Sequence, residues 1–317
     1  MEIVLNSALF TEAQKEHLKP QIEKLITNLS TDLDLSTLEK IIIPKDFTKE
    51  VVAFQEEHNK RITGHTKNEN EEAKAKVMYY IEDGNYRQVV FLHEMFISGL
   101  TVDNIDIVRK CQFFIRHELG HVHDEFNKRE IYTDDLRNGI GMSCLDFTLT
   151  IHSDVVWSEY FANRTAGAHL TTDLFVEQAS YTVDLIDRVK DECTKYIKEY
   201  RKHTDINLLM EQIKDATHML FYFTAHTLGN LHYYKEAFSD EEYNRIKEGV
   251  DRNITCTYFE ECWSLMDKAL TDLYTKYPNW NDILQLEELN QAIHKCWNEL
   301  GIYLEDYGEN MYINVPL

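Results

Sequence analysis

The feature that most constrains this chain is the sequence H-E-L-G-H at residues 117–121, which lies in a segment whose apolar residues recur at helical spacing. Two residues that are four apart on an α-helix differ by only about 40° in direction, so the imidazoles of His117 and His121 project from one face. Their separation suits two corners of a tetrahedral zinc site. Glu118 points to the side of such a metal, where its carboxylate reaches a water without becoming a ligand.

The residues around this motif predict a helix from about Asp103 to Phe126. Asp103 is the candidate N-cap, and neither Pro nor Gly interrupts the segment before Gly120. The helical spacing predicts a buried stripe, with the two His residues at its edge, that consists of Ile107, Val108, Cys111, Phe114, Ile115 and Val122. The alternative is a half-exposed helix that carries two His residues and an incidental Glu, because a short motif also arises by chance.

A third metal ligand is offered by a later segment, which predicts a helix that opens near residues 153–154. One face of this helix is shared, at spacings of three, four and seven, by Glu159, Ala162, Asn163 and Ala166. The small Ala side chains permit close approach to another helix. Asn163 is placed to hydrogen-bond a ligating His and orient its ring. A lone helical Glu usually faces water, but beside an H-E-x-x-H motif a ligand role for Glu159 is favoured.

Together, H-E-L-G-H and E-x-x-A-N-x-x-A resemble the motifs of the gluzincin metallopeptidases, and they are most similar to those of the ImmA/IrrE type. The resemblance covers roughly residues 75–170. It implies a zincin-like core, Zn²⁺ held by His117, His121 and Glu159, and Glu118 as the general base. The implied function is hydrolysis of peptide bonds by a zinc-activated water, on a dedicated protein or peptide substrate.

A further predicted helix carries a stripe formed by His218, Tyr222, His226 and Tyr233, with Gly229 between them. Peptide hydrolysis needs a donor to the oxyanion of the tetrahedral intermediate, and His226 or Tyr222 is the candidate for this catalytic role. The alternative is that these side chains are buried and satisfied by structural neighbours. That structural interpretation is favoured for the other histidines considered, namely His93, His152, His169 and His232.

Composition and charge exclude some functions. The net charge of −22 at pH 7 argues against a nucleic-acid partner, because its phosphates would be repelled. No signal-peptide pattern and no apolar run of membrane-spanning length is visible, so we expect a cytoplasmic protein with no membrane partner. The six cysteines are scattered without a C-x-x-C pair, which favours reduced thiols. The oligomeric state and the identity of the substrate do not follow from the sequence.

The remaining patterns predict an α+β fold. A helix at 11–29, a strand at 40–44 and a β-hairpin at 77–92 with Asp83-Gly84 as its turn place a small sheet ahead of the metal-binding helix. Residues 127–152 show few periodic features and suggest a lid or an irregular loop. The helices predicted after residue 170 span about 174–200, 205–236, 240–250, 255–277 and 284–304.

We therefore predict two regions. Residues 1–170 form a zincin-like catalytic region with the small sheet near its N-terminus. Residues 171–317 form an α-helical subdomain that packs on it as the second wall of the cleft.

Two other functions remain open on the sequence. A metal-binding regulatory or interaction protein of the same fold, without general protease activity, would have a closed site with four protein ligands, whereas a catalytic site keeps one position open. An aminopeptidase would need an acidic pocket for the α-amine of its substrate, and the sequence identifies none.

Overall fold

The computed structural model describes residues 1–58 and 73–316, and the chain divides into two compact units. The first unit is Met1–Phe126 with Ala168–Thr171, and the second is Asn127–Gly167 with Thr172–Leu317. The fold is α+β, as predicted, with a small sheet in a chain that is mostly helical. Residues 127–167 thus group with the later helices, whereas the sequence suggested a division at residue 170. The functional division into a catalytic region and a packed helical subdomain stays a prediction.

The first unit contains the small sheet and the helix that carries the H-E-x-x-H motif. In chain order its elements are β1 (Glu2–Leu5), α1 (Glu12–Leu29), β2 (Leu38–Ile43), α2 (Phe47–Glu57), β3 (Ala75–Glu82), β4 (Asn85–Leu92), α3 (Glu94–Gly99) and α4 (Ile105–Lys128). The predicted helix, strand and hairpin are confirmed. The helix α1 begins where expected because Thr11 and Gln14 form a reciprocal capping box.

The four strands form a mixed sheet in the order β1-β2-β4-β3. The pairs β1–β2 and β2–β4 are parallel, and β3 runs antiparallel to β4. Asp83 (φ 51°) and Gly84 (φ 76°) both adopt left-handed backbone at the β3–β4 turn, as a tight two-residue hairpin requires. Among the described residues, β1 and β3 are therefore the edge strands.

Both faces of this sheet are covered, because successive side chains of a strand alternate between faces. One face, which includes Ile41, Val90 and Leu92, packs against apolar residues of α1 and α4. The other face includes Val89 and Phe91 and packs against α2. Because both faces are buried, the central strands β2 and β4 consist largely of consecutive apolar residues. The helix α4 packs with one of its sides against the sheet.

The N-cap of α4 lies one residue later than predicted. Asn104, and not Asp103, caps it: the Asn104 side-chain oxygen accepts hydrogen bonds from the backbone N–H groups of Asp106 (3.0 Å) and Ile107 (3.2 Å). Asn and Asp cap helices equally well, so residue type gives no preference for Asp103 over the neighbouring Asn104.

The predicted buried stripe of α4 is largely confirmed. Cys111, Ile115 and Val122 are buried in the core shared with the sheet, and Leu119 joins them. The prediction is wrong for Ile107, which is 43 % exposed because it precedes the part of α4 that packs on this core.

The described part of the second unit is helical except for one hairpin. Its further elements are α5 (Asp134–Arg137), α6 (Cys144–Ala166), α7 (Thr172–His203), α8 (Ile206–Ala237), α9 (Asp240–Ile254), α10 (Glu260–Lys276), α11 (Glu287–Glu299), β5 (Tyr303–Tyr307) and β6 (Asn310–Asn314). The helix predicted to reach residue 304 ends earlier, because Gly301 adopts left-handed backbone (φ 87°) and the antiparallel β5–β6 hairpin follows.

The predicted long loop at residues 127–152 is wrong for its second part. The helix α6 opens at Cys144 and not near residue 153, because the Ser143 hydroxyl accepts a hydrogen bond from the Asp146 N–H (3.1 Å). This N-cap lies directly after two glycines, Gly139 and Gly141, which made the whole segment resemble a loop.

Two helices of the second unit, α6 and α8, approach each other closely at Gly229. A Cβ atom on Gly229 would lie 2.7 Å from the carbonyl oxygen of Tyr160 and 3.1 Å from the backbone nitrogen of Arg164. Ala162 and Ala166 of α6 are fully buried. The helix α6 thus approaches α8 closely, and the atoms at the contact belong to Tyr160, Asn163 and Arg164, so the role that the sequence assigns to the Ala residues stays a prediction.

We predict that Gly229→Ala destabilises the protein, because the added methyl group meets backbone atoms that have no rotamer to adjust. Overpacking of this kind costs about 1–3 kcal/mol. Urea denaturation followed by circular dichroism measures the change in the free energy of unfolding.

Gly249→Ala is the matched control. Gly249 is also in a helix, α9, and a methyl group added there would have no described atom within 4 Å. Ala should stabilise the helix at this position by up to about 1 kcal/mol, because Gly costs more backbone entropy. Equal effects of the two substitutions would contradict the close packing at Gly229.

The interior of the second unit holds one histidine whose protonation is opposed by its surroundings. The ring of His152 in α6 lies edge-to-face with Trp297 at 5.4 Å between centroids, and the residue is 8 % exposed. Burial, together with the charges of His218 and Lys214, lowers the pKa of His152 from 6.5 to about 4. The neutral ring is thus the form that the folded protein accommodates.

We predict that this histidine makes the fold acid-sensitive. Its folded pKa lies below the unfolded one, so the stability is complete above pH 6.5 and falls as the pH drops towards about 4, by up to on the order of 3 kcal/mol. His152→Phe keeps a ring against Trp297 and should flatten the dependence of the unfolding free energy on pH in this interval. An unchanged slope in urea titrations at several pH values would exclude His152 as the source.

Candidate metal centre

In the first unit, the two histidines of the H-E-x-x-H motif converge. The Nε2 atoms of His117 and His121 lie 2.9 Å apart, and the ring planes are nearly perpendicular (88°). His117 is 6 % exposed, and its ring lies nearly parallel to that of Phe113, with centroids 6.5 Å apart. The helical spacing therefore brings the imidazoles to one point, as the sequence predicts.

The two histidines leave α4 beside the side that packs on the sheet. His117 is rotated by about 200° from Ile115, which packs in the sheet core, whereas His121 is seven residues, or about 20°, from Phe114, which also packs against that core. The pair thus lies at the edge of the buried stripe. Glu118 is half-buried and lies between the stripe and the two histidines in direction.

This donor pair fits zinc. Zn–N bonds of about 2.0–2.1 Å in a tetrahedral site would hold two nitrogen atoms about 3.3 Å apart, so a small side-chain rotation converts the observed 2.9 Å into a ligand pair. A proton shared between the two rings satisfies the same distance. A metal-binding measurement distinguishes the two.

In the second unit, the proposed carboxylate ligand meets a histidine of α8. The Nε2 atom of His226 lies 2.9 Å from Oε2 of Glu159, and the two side chains are 8 % and 14 % exposed. On the other side of the ring, His226 Nδ1 lies 3.3 Å from the amide nitrogen of Gln178 in α7. His226 is thus held between two polar partners in the interior of this unit.

Asn163, the predicted supporting residue, is fully buried one turn after Glu159. Its amide nitrogen donates to the backbone carbonyl of Glu159 at 3.0 Å. In the part of the chain that the structure describes, no donor reaches its side-chain oxygen. A buried acceptor of this kind suits the N–H group of a ligating imidazole, and the predicted contact with a ligand stays a prediction.

The stripe on α8 is continuous. The ring centroids of Tyr222 and His226 are 4.3 Å apart, and those of His218 and Tyr222 are 6.3 Å apart. Tyr222 is half-buried. Burial lowers the pKa of His218. At the end of the stripe, the Tyr233 ring packs beside Gly167, which follows the last residue of α6, and this is a structural role. The catalytic assignments of Tyr222 and His226 stay predictions.

The other histidine of α8 belongs to a separate buried network. His232 Nε2 donates to Asp267 (2.7 Å), and the Tyr160 hydroxyl donates to His232 Nδ1 (2.7 Å). Arg164 in turn donates to the Tyr160 hydroxyl and lies over the ring of Tyr274, 3.5 Å from its centroid. Burial raises the pKa of Tyr160. His232 therefore has the structural partners that the sequence interpretation expects.

Two other histidines of the first unit, His93 and His169, have structural surroundings of their own. His93 caps α3 through a hydrogen bond from the Met95 N–H (3.1 Å). Burial lowers the pKa of His169, and the charges of Arg116 and Arg109 act in the same direction.

Two residues of the second unit extend the Glu159–His226 pair and were not singled out in the sequence. Gln178 lies on α7 and Asn230 on α8, and both are buried. The Asn230 amide donates to the Gln178 side-chain oxygen at 2.6 Å. Gln178 could have been found from the sequence as a polar residue at a position that helical spacing predicts to be buried, because it continues the spacing of Leu174 and Leu185.

The cysteines are free thiols, as predicted. In the described part of the chain, every helix is too short or too polar to cross a membrane.

Comparisons with known proteins return no match: no family model, no curated protein and no solved structure matches this chain.

We predict that the purified protein binds one zinc ion and that His117→Ala or His121→Ala weakens this binding by more than about 100-fold, because each substitution removes a ligand. Competition with a chromogenic zinc chelator measures the affinity. Binding of zinc to the folded state should also raise the midpoint of thermal unfolding.

His123→Gln is the control on the same helix. Its ring accepts a hydrogen bond from the Asp34 N–H (2.7 Å), and it is not a proposed ligand. Zinc affinity should be unchanged in this variant. Equal loss of zinc in the His121 and His123 variants would show that the ion is not bound by the motif.

Proposed function

We propose that this chain is a zinc-dependent metallopeptidase of the gluzincin type, with Zn²⁺ held by His117, His121 and Glu159. The observation that carries the proposal is the convergence of the two imidazole nitrogens of the H-E-L-G-H helix at 2.9 Å, at the edge of the stripe of α4 that packs on its sheet. A small mixed sheet that packs on one side of such a helix is also what a zincin-like core requires.

Zinc, when bound, lowers the pKa of a coordinated water and polarises the scissile carbonyl. The side chains of the protein bind the metal and transfer the proton of the attacking water. His117 and His121 offer neutral imidazole donors, and Glu159 offers a carboxylate. Glu118 takes a proton from the attacking water as the new C–O bond forms, and it passes the proton to the amine nitrogen as the C–N bond breaks.

The proposed oxyanion donor is Tyr222 or His226. The Nε2 atom of His226 contacts Glu159, which favours Tyr222 for this role. Tyr222 lies in the same stripe of α8, and its phenol group is a hydrogen-bond donor.

The proposed substrate is a dedicated protein or peptide, and the proposed location is cytoplasmic. An edge strand such as β3 offers backbone groups that can pair with an extended peptide. The net charge of −22 favours basic segments in such a substrate and disfavours nucleic acid.

We predict that Glu118→Gln retains zinc and loses peptide hydrolysis by at least about 100-fold, because the amide cannot take the proton of the attacking water. The measurement is zinc content together with a proteomic comparison of cleavage products in host cells that express the wild type or the variant. Hydrolysis at the wild-type rate in the Glu118→Gln protein would refute the assigned base.

Glu130→Gln removes the same charge from an exposed position, where the side chain is 87 % exposed, and should leave cleavage unchanged. If the wild type binds zinc but yields no cleavage product that the variant lacks, the metal-binding regulatory or interaction protein becomes the better description.

A further inference from the structure

A chain of buried polar side chains begins at Glu159 and runs away from it through α8 and α7. His226 contacts Glu159 Oε2 at 2.9 Å, Gln178 contacts His226 at 3.3 Å, and Asn230 contacts Gln178 at 2.6 Å. Gln178 is 6 % exposed and Asn230 is fully buried. All four side chains belong to the second unit.

The carboxylate fixes the direction of the first hydrogen bond in this chain, and a neutral His226 ring then fixes the direction of the others. A carboxylate only accepts, so the His226 atom that faces Glu159 is an Nε2–H donor. In a neutral imidazole the other nitrogen is then an acceptor. His226 Nδ1 therefore takes its hydrogen bond from the Gln178 –NH₂ group. The Gln178 oxygen consequently faces Asn230, whose –NH₂ group donates to it.

We propose that Gln178 and Asn230 are positioning residues that hold His226 as the Nε2–H tautomer and thereby orient the carboxylate of Glu159 for the metal. This inference rests on the proposed function, in which Glu159 is a zinc ligand. Outer partners of this kind typically change metal affinity by 10- to 100-fold.

The first test examines the ring of His226 in the metal-free wild type. Long-range ¹H–¹⁵N correlation spectra, with the His226 signals assigned through a His226→Gln variant, distinguish the three states of the ring. The expected state is neutral with the proton on Nε2. A proton on Nδ1, or on both nitrogens, would overturn the proposal.

The second test removes the Gln178 amide without emptying its space. Gln178→Met is close in shape but donates no hydrogen bond, so His226 should lose its fixed tautomer and zinc affinity should fall by about 10- to 100-fold. Asn230→Leu frees the Gln178 amide to turn over and should give a smaller loss of the same kind. Both effects are measured by the same spectra and by competition with a zinc chelator.

Thr182→Val is the matched control, because Thr182 is buried on α7 one turn after Gln178 and its hydroxyl contacts the carbonyls of Gln178 (3.0 Å) and Phe223 (3.1 Å) and the hydroxyl of Thr227 (2.9 Å). It removes a buried polar group beside the Gln178 backbone and leaves the Gln178 amide and His226 in place. The tautomer and the zinc affinity should both be unchanged in it, even where the midpoint of thermal unfolding falls.

The outcomes separate the two proposals. A wild type that binds no zinc refutes the proposed function, and the spectra still decide the tautomer of His226. A wild type that binds zinc with an affinity that Gln178→Met leaves unchanged refutes the positioning role alone.

Discussion

The packing of α4 against the sheet of the first unit determines where the chemistry of this chain can lie. Ile115, Leu119 and Val122 commit one side of the helix to the core, and the helical repeat then leaves a single direction for His117 and His121. The i, i+4 spacing brings their Nε2 atoms together, and hydrophobic burial of the neighbouring stripe fixes the direction in which the pair leaves the helix. A helix that was free to rotate about its axis would not hold the two imidazoles in a fixed direction.

The second unit reaches its own arrangement by a different physical route. Gly229 lets the backbones of α6 and α8 come together, and this proximity places His226 at hydrogen-bond distance from Glu159 in the interior. An ionisable pair in such surroundings is expensive to bury unless each member is hydrogen-bonded. Gln178 gives His226 a second polar partner, and Asn230 in turn donates to Gln178.

Features that depend on neighbours in sequence could be predicted from the sequence. The helix that begins after Thr11, the turn at Asp83 and Gly84 and the spacing of the H-E-x-x-H motif are all local, and each is found in the structure. The strand β1 is only four residues long and gave too little periodicity to be recognised. The start of α6 was missed because glycines precede its cap.

In the candidate site too, contacts between residues far apart in sequence could not be predicted. The pairing of Glu159 with His226 joins two helices that are far apart in sequence, and it depends on the absence of a side chain at Gly229. Helical periodicity places each residue on a face but does not say which face of another helix it will meet. Gln178 was overlooked for the same reason, since its importance follows from its partner and not from its own neighbours in the chain.

The buried network of Arg164, Tyr160, His232 and Asp267 has a consequence for how α6 and α8 can move. Sliding one helix along the other by one turn, about 5.4 Å, would present Asn163 or Val155 to His226 in place of Glu159. Such a slip would also break the hydrogen bonds from Tyr160 to His232 and from Arg164 to Glu236, which join α6 to α8. The network therefore fixes which residue of α6 stands opposite His226, so small changes in helix tilt preserve the pair while a change of register is opposed.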